Sequence, residues 1–276
     1  MHTPVRRVNT EMERVSVVIV NYNTPDLVEA CVASVRLHFG SMPQVIVVES
    51  GIEHGLETRV VQDYGIHHIT TTQRLGFGQA NNRGVAAADR DYLWLLNSDT
   101  LVPDQRAQSL FALLETDKRL GLVSPVLYND RTLNERQIDF YANFQSLQTL
   151  LTRRTRPAIP WRAAEPPSLF LCDQVSAAAV ATRTELFRRL GGFDESFFMY
   201  FEDDDLCYRA RALGFRSAIA LNVPVIHLQG RSLKNSAERK ALYYRSQQRF
   251  WEKHYGRAAT TLMLILRWPW RLLKES

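Results

Sequence analysis

Four consecutive acids, Glu202-Asp203-Asp204-Asp205, stand at the front of a helical pattern in GGFDESFFMYFEDDDLCYRARALGF. Carboxylates at a helix start are favoured by the macrodipole, but four in a row exceed what capping needs. Mutual repulsion raises the proton affinity of at least one of them, which suits a general base. Charge spacing alone does not separate Asp203 from its three neighbours. A second set of polar residues follows hydrophobic runs: Asn21-Tyr22-Asn23, Glu49-Ser50-Gly51 and Asn97-Ser98-Asp99-Thr100. In an open α/β sheet, ligands bind beyond the carboxyl ends of the strands. An acid there can hydrogen-bond a ribose or base, and an Asp in the next strand's turn can reach a divalent metal bridging diphosphate oxygens. Each triplet taken singly is also ordinary turn chemistry; their recurrence at successive strand ends points to a nucleotide. His227, in PVIHLQGR, follows another apolar run and is a candidate metal ligand, with Arg231 and Lys234 beyond it to neutralise phosphates. A lone histidine is more often purely structural; its place after a strand, near a proposed diphosphate, is what favours a ligand.

These groups need a scaffold, and the first half of the chain supplies its pattern. Short β-branched runs at 15–20, 44–48, 67–71 and 91–96 alternate with helical stretches, predicting a parallel sheet covered on both faces. Thr24-Pro25-Asp26 starts a helix that Gly40 ends. Residues 104–117 read as a helix and 120–127 as a strand, whereas 129–167 reads as a long irregular, partly mobile insertion, either an acceptor-facing lid or an inert loop. Order resumes at 174–182, followed by a short helix closed by Gly191-Gly192, the acidic helix, and a long amphipathic helix over 236–255. Gly76-Phe77-Gly78 opens GFGQANNRG, which reads GxGxxN and does not close the first strand, so a dinucleotide loop is not indicated. It predicts a tight turn and helix start that bring Gly76, Asn81 or Arg83 close to a donor.

With 276 residues and 45% hydrophobic content, one large domain is expected. Cys31, Cys172 and Cys207 form no CxxC and suggest neither a disulfide framework nor a zinc site, which favours the cytoplasm. The N-terminal apolar run reads as a strand and not as a signal peptide, and no apolar stretch reaches membrane-spanning length. Net charge is +5, but residues 231–276 hold 11 Lys/Arg against 3 Asp/Glu, a local +8 that leaves −3 for the remainder. The segment ends in TLMLILRWPWRLLKES, whose aromatic, aliphatic and basic residues suit a membrane surface as well as an ordinary solvated helix face. No nucleic-acid partner is expected, because the first 230 residues hold no basic stretch interleaved with stacking aromatics.

The ordered blocks VSVVIVNYNT, VIVVES, RLGFGQANNRG, YLWLLNSDT, GGFDESFFMYFEDDDLC, VIHLQGRS and RFWEKHYG resemble the inverting family 2 glycosyltransferases of GT-A fold, especially the bacterial rhamnosyltransferase-like branch. The resemblance runs over residues 15–256 and leaves 257–276 as a basic, apolar tail. It implies a Rossmann-like nucleotide-binding mixed sheet flanked by helices. By position it implies Asp203 as catalytic base and Asp99, with His227, as ligands of Mg²⁺ or Mn²⁺. Asn97 takes the place of the family's first Asp. Glu49, where the family usually has Asp, would contact the nucleoside beside Asn21 and Asn23, and Ala177-Ala178 replaces a Gly-Ala pair near the donor sugar. Glu202 would sit beside the substrate. The implied reaction moves a sugar from a dTDP- or UDP-sugar, with rhamnose from dTDP-rhamnose favoured by branch, to a lipid-linked or cell-surface glycan at the inner face of the plasma membrane. A nucleotidyl or phosphoryl transferase using the same acids, and a non-catalytic membrane-docked scaffold, are the competing readings.

Overall fold

The computed structural model describes residues 11–51, 55–137, 141–152, 157–159, 168–228 and 236–272. In chain order the N-terminal half runs β1 (Val15–Asn21), α1 (Pro25–Phe39), β2 (Gln44–Ser50), α2 (Thr58–Asp63), β3 (Ile66–Thr71), α3 (Phe77–Ala86), β4 (Tyr92–Asn97), β5 (Thr100–Leu101), α4 (Ser109–Thr116) and β6 (Leu120–Tyr128). The C-terminal half adds β7 (Tyr141–Ala142), α5 (Leu147–Thr152), β8 (Leu169–Cys172), β9 (Gln174–Val175), β10 (Ala179–Arg183), α6 (Thr184–Arg189), α7 (Glu202–Ala212), β11 (Arg216–His227) and α8 (Ser236–Leu272). One mixed sheet, ordered β3-β2-β1-β4-β10-β6-β11-β5, carries the core, with β8 paired to β11. Strands β3, β2, β1 and β4 are mutually parallel. Antiparallel β10 then inserts between β4 and β6.

Strands β1, β2 and β4 are buried along nearly their whole length, as their apolar runs require, whereas edge strand β3 buries only Ile66. Trp94 on β4 is wholly buried and meets Phe39 and Phe111 edge-on at 6.4 and 6.0 Å. Each such side chain contributes roughly 1.5–3 kcal/mol through burial alone. Helix α3 packs close to the sheet because Gly84 lacks a side chain: a Cβ there would lie 2.4 Å from Val18.

Two expectations change. Strand β2 extends through Ser50, pairing Asn21 with Glu49 and Glu49 with Thr70, so Glu49 lies inside the sheet and not beyond its end. The 129–167 stretch is not an irregular loop throughout. Asn129 and Gln137 return the chain to Glu135 and Leu127 through backbone hydrogen bonds, β7 pairs with β9, and α5 follows. Residues 153–156 and 160–167, including most of the Arg- and Pro-rich part, lie outside the described residues.

Strand β11 pairs in parallel with β6, with a register shift between Ala220 and Pro224 before pairing continues to Ile226. Pro224 has no N–H to donate, and an irregularity is where a sheet accepts it. Helix α8 breaks at Gly256, whose φ of 81° and ψ of 169° are not helical. Its second part folds back along the first: Met263 is buried, and Arg267 hydrogen-bonds Gln247 and lies 4.2 Å above the Tyr244 ring.

Candidate active site

The carboxyl ends of β1 and β4 open into a cavity of about 490 Å³ whose walls include Asn97, Ser98, Asp99, Ala177, Glu202, Asp203 and His227. Antiparallel β10 makes this possible. Asn97 donates its backbone N–H to the carbonyl of Ala178, which sets residues 176–178 beside the β4 turn. The Ala177 N–H in turn donates to Asp203 Oδ2 at 3.2 Å. Ala177 thus joins the two acidic features that lie a hundred residues apart in sequence.

The β4 turn and the end of β11 form one cluster. Thr100 pairs with His227 across β5 and β11, and Leu228 N–H donates to the Asp99 carbonyl. Asp99 Oδ1 lies 3.3 Å from His227 Nε2, with both side chains largely buried. Asn97 Nδ2 donates to that same Nε2 at 3.3 Å. On the other side of the imidazole, Nδ1 donates to Gln137 Oε1 at 3.1 Å, and Gln137 Nε2 donates to the His227 carbonyl. That pairing fixes the tautomer that leaves the Nε2 lone pair toward Asp99.

Three observations fit this cluster to a divalent cation. Two donor atoms 3.3 Å apart are spaced like neighbouring ligands on an octahedral ion with bonds of about 2.1 Å. Asn97 Oδ1 is buried without a hydrogen-bond partner, a cost that a third ligating interaction would remove. Gln137, bonded to the far side of the ring, orients the imidazole as such ligands require. Among the described residues no group of three or more His, Cys, Asp or Glu converges anywhere, so the remaining ligands would be substrate oxygens.

The acidic run divides in two along α7. Glu202 and Asp203 line the cavity. Burial pushes Glu202 well above the usual carboxylate range, helped by the adjacent Asp203 charge, and its Oε2 has no partner. Burial also raises Asp203, opposed by the N–H groups of Ala177 and Asp204 that bond its oxygens. Asp204 faces away and accepts from Gln174 Nε2 at 3.1 Å. Asp205 is fully buried and meets Arg209 at 2.7 Å, Lys253 at 2.5 Å and His254 at 2.8 Å. Burial would push Asp205 up, but His254, Arg209 and Lys253 together hold it below the usual range.

The residues entering this helix are strained. Tyr200 and Phe201 have φ of 68° and 66°, a left-handed region that costs a non-glycine residue on the order of 1–2 kcal/mol. Phe201 is held there by burial against Phe250 and Tyr243 and by its carbonyl, which accepts from Asp205 N–H. The two reversed residues turn the chain so that Glu202 and Asp203 enter the cavity wall. Backbone strain of this kind concentrates at functional sites.

Other expected residues are placed differently. Glu49 does not line the cavity. It is 2% exposed, and accepts from Asn21 Nδ2, the Leu56 N–H and His68 Nε2 at 3.0, 2.7 and 2.6 Å, beneath Ser50, which does line it. Asn21 is likewise buried, its Oδ1 accepting from the N–H and hydroxyl of Thr24. Asn23 takes a left-handed turn with φ of 54° beside them, outside the cavity lining. Gly76 is small because the Phe198 backbone crosses it; a Cβ would lie 2.8 Å from that carbonyl oxygen. Asn81 is buried and bonds the Phe77 carbonyl. Arg83 is exposed, because it sits two residues beyond Asn81 and so on the opposite side of α3. The arginine that enters the cavity from this part of the chain is Arg74, held over the Tyr22 and Phe198 rings at 4.3 and 5.2 Å. Arg231 and Lys234 lie outside the described residues. The sequence names Tyr22 and Ser50 only as members of strand-end clusters, and it does not single out Arg74, Gln137, Tyr200 or Arg239. Only Tyr22 and Ser50 carried a local signal, as neighbours of strand-end residues.

A Rossmann-like mixed sheet with an acid-and-histidine cluster at one strand end and a cavity carboxylate opposite defines a glycosyltransferase of GT-A type. The chain belongs to glycosyl transferase family 2, whose model matches residues 16–166. It is 26% identical to the N-acetylglucosaminyl-diphospho-decaprenol L-rhamnosyltransferase of Mycobacterium tuberculosis, over 87% of this chain and 85% of the relative. It is 24% identical to the low-salt glycan biosynthesis hexosyltransferase of Haloferax volcanii, over 80% of this chain and 69% of the relative. Among solved structures it resembles a mannosyltransferase of Pyrobaculum calidifontis in complex with GDP-Man and Mn²⁺, with a TM-score of 0.60 and 18% identity over 87% of this chain. It also resembles GalNAc-T7 with UDP, GalNAc and Mn²⁺, with a TM-score of 0.65 and 16% identity over 88% of this chain. The chain spans 63% and 50% of those two solved chains, and at such identity they show the fold alone.

Proposed function

We propose that this chain transfers a sugar from a nucleotide-sugar to an acceptor hydroxyl with inversion at the anomeric carbon, using Asp203 as the general base. The observation that carries this reading is the single cavity holding Asp203 opposite Asp99 and His227, bridged by the Ala177 backbone. Asp203 accepts the acceptor's proton as the hydroxyl attacks the anomeric carbon on the face opposite the leaving nucleoside diphosphate. Its raised proton affinity places it closer to the working pH of a base than a solvated Asp would be. Glu202, buried and unsatisfied at Oε2, keeps its proton and uses it as a hydrogen-bond donor to a sugar oxygen. Tyr22 and Ser50 flank the nucleoside, and Arg74 caps that end of the cavity.

Asp99 and His227, with Asn97, would hold Mg²⁺ or Mn²⁺, which when bound neutralises the departing diphosphate. The imidazole favours Mn²⁺. The relative named as an N-acetylglucosaminyl-diphospho-decaprenol L-rhamnosyltransferase supports rhamnose as the sugar moved and a lipid-linked saccharide as acceptor; dTDP-rhamnose as the donor and a cell-surface glycan as the alternative acceptor belong to the same reading. Peripheral docking at the inner face of the plasma membrane is part of the same reading. It is supported by Leu262, Leu264 and Ile265, exposed at 42%, 37% and 62% on the helix after Gly256, and by the basic charge of the 257–276 tail. Among the described residues no helix is long and apolar enough to cross a membrane.

The test is thermal stabilisation by dTDP, UDP and GDP and by their sugars, each with and without Mn²⁺. One nucleotide should raise the midpoint, more with metal than without. Stabilisation by none would refute the assignment.

A further inference from the structure

The first turns of α8 reach the cavity from a part of the chain far beyond the family-matched residues 16–166. Glu238 lies 3.9 Å from Arg74, and the next residue, Arg239, lines the same cavity as Tyr200, Glu202 and Asp203. A half-buried guanidinium ordinarily pairs with a carboxylate or a carbonyl. Arg239 makes no ion pair or hydrogen bond with any described residue, and its charge is registered on Tyr200. One helical turn on, Tyr243 is 38% exposed and meets the Tyr200 ring at 5.9 Å. A half-buried arginine without a described partner therefore shares the cavity of the base with the Tyr200–Tyr243 ring pair.

We propose that Arg239, with Tyr200 and Tyr243, forms the acceptor subsite, and that it selects an acceptor carrying a phosphoester beside the sugar that is glycosylated. A guanidinium matches phosphate oxygens in a two-pronged geometry that an ammonium does not reproduce. Tyrosine faces supply the apolar contact that a sugar ring or the first isoprene units of a carrier lipid require. The return of the C-terminal helix supports a lipid carrier: with Arg267 against Tyr244 and Gln247, its backbone runs back toward the start of α8. The exposed Leu262, Leu264 and Ile265 belong to that same two-helix layer. This proposal rests on the reading of Asp203 as the base.

The experiment measures binding of farnesyl diphosphate and of farnesol by titration calorimetry, with Mn²⁺ and whichever nucleoside diphosphate stabilises the protein held at saturation. The wild-type chain should bind farnesyl diphosphate with the nucleotide site filled. Arg239→Ala should weaken that binding at least tenfold while changing nucleoside-diphosphate affinity less than twofold and leaving farnesol binding unaltered. Arg239→Lys should recover only part of the loss. Displacement of farnesyl diphosphate by the nucleotide, or an equal loss of nucleotide affinity in Arg239→Ala, would assign Arg239 to the donor and overturn the proposal. Failure of the wild type to bind farnesyl diphosphate would overturn it as well. If no nucleoside diphosphate binds at all, it is the glycosyltransferase reading that fails, a result separable from the others.

Discussion

Glu202 and Asp203 differ from Asp205 by less than one turn of the same helix, yet they have opposite environments. The first pair faces a cavity with few protein partners and is driven toward protonation by burial. Asp205 is as deeply buried but is met by Arg209, Lys253 and His254, which keep it ionised. Buried charge without a partner is poised for chemistry; the same charge with three partners is a fastener. Asp205 ties α7 to α8, and Arg209 extends the tie to the carbonyls of Leu190 and Gly192. The structural acid thereby immobilises the helix that presents the chemical one.

This contrast can be broken by substitution. Asp203→Asn should lower transfer by about 10²–10⁴-fold while nucleotide affinity, read by calorimetry, and the unfolding midpoint stay near wild type. A parallel loss of nucleotide binding would move the base elsewhere. Asp205→Ala should do the reverse. Leaving Arg209 and Lys253 without their counter-ion costs about 3 kcal/mol, measured by urea unfolding, and the folded fraction should still bind nucleotide. A loss below about 1 kcal/mol would remove the fastener role. Gln137→Leu should weaken Mn²⁺ binding about 10–100-fold by releasing the His227 ring, with little change in metal-free stability.

The smallest effect is in pH dependence, and its sign differs between the two halves. Asp205, depressed in the folded protein, contributes stability that is present above the ordinary Asp value of about 3.9 and is lost as pH falls through its lower folded value. Glu202 is raised, so the folded state binds its proton more tightly than the unfolded chain. Its contribution is therefore present below about 4.3 and is lost as pH rises through the folded value. Glu202→Gln should flatten the decline of stability on the alkaline side of that window, and a pH series of urea midpoints would show it. An unchanged slope would mean that Glu202 is ionised in the cavity.

The inner parallel strands were legible because both of their faces are covered, which leaves Val and Ile runs in β1 and β2 and a Leu and Trp run in β4. The end of β2 was not, since Glu49 and Ser50 look like loop residues until β1 and β3 are seen to pair with them. Much of the cavity wall was also legible: Asn97, Asp99, Ala177, Glu202, Asp203 and His227 come together as expected. The support for it was not. Gln137 is 90 residues from the histidine it orients, and no local pattern announces such a partner. Arg83 and Arg74 illustrate the same limit. The GFGQANNRG motif suggested Arg83 near the donor, but in the folded helix position 83 points to solvent while position 74, before the helix, enters the cavity.

The register shift between Ala220 and Pro224 governs more than local pairing. Successive residues of a strand point to opposite faces, so the facing of His227 depends on whether the number of residues separating it from the regular part of β11 is odd or even. The irregularity therefore acts as a parity setting for the cation cluster. Adding or removing a single residue at 221–223 would keep the composition of the site and most of the sheet, yet present the imidazole to the wrong side. Length at that point of the chain is as much a part of the site as the identity of the histidine.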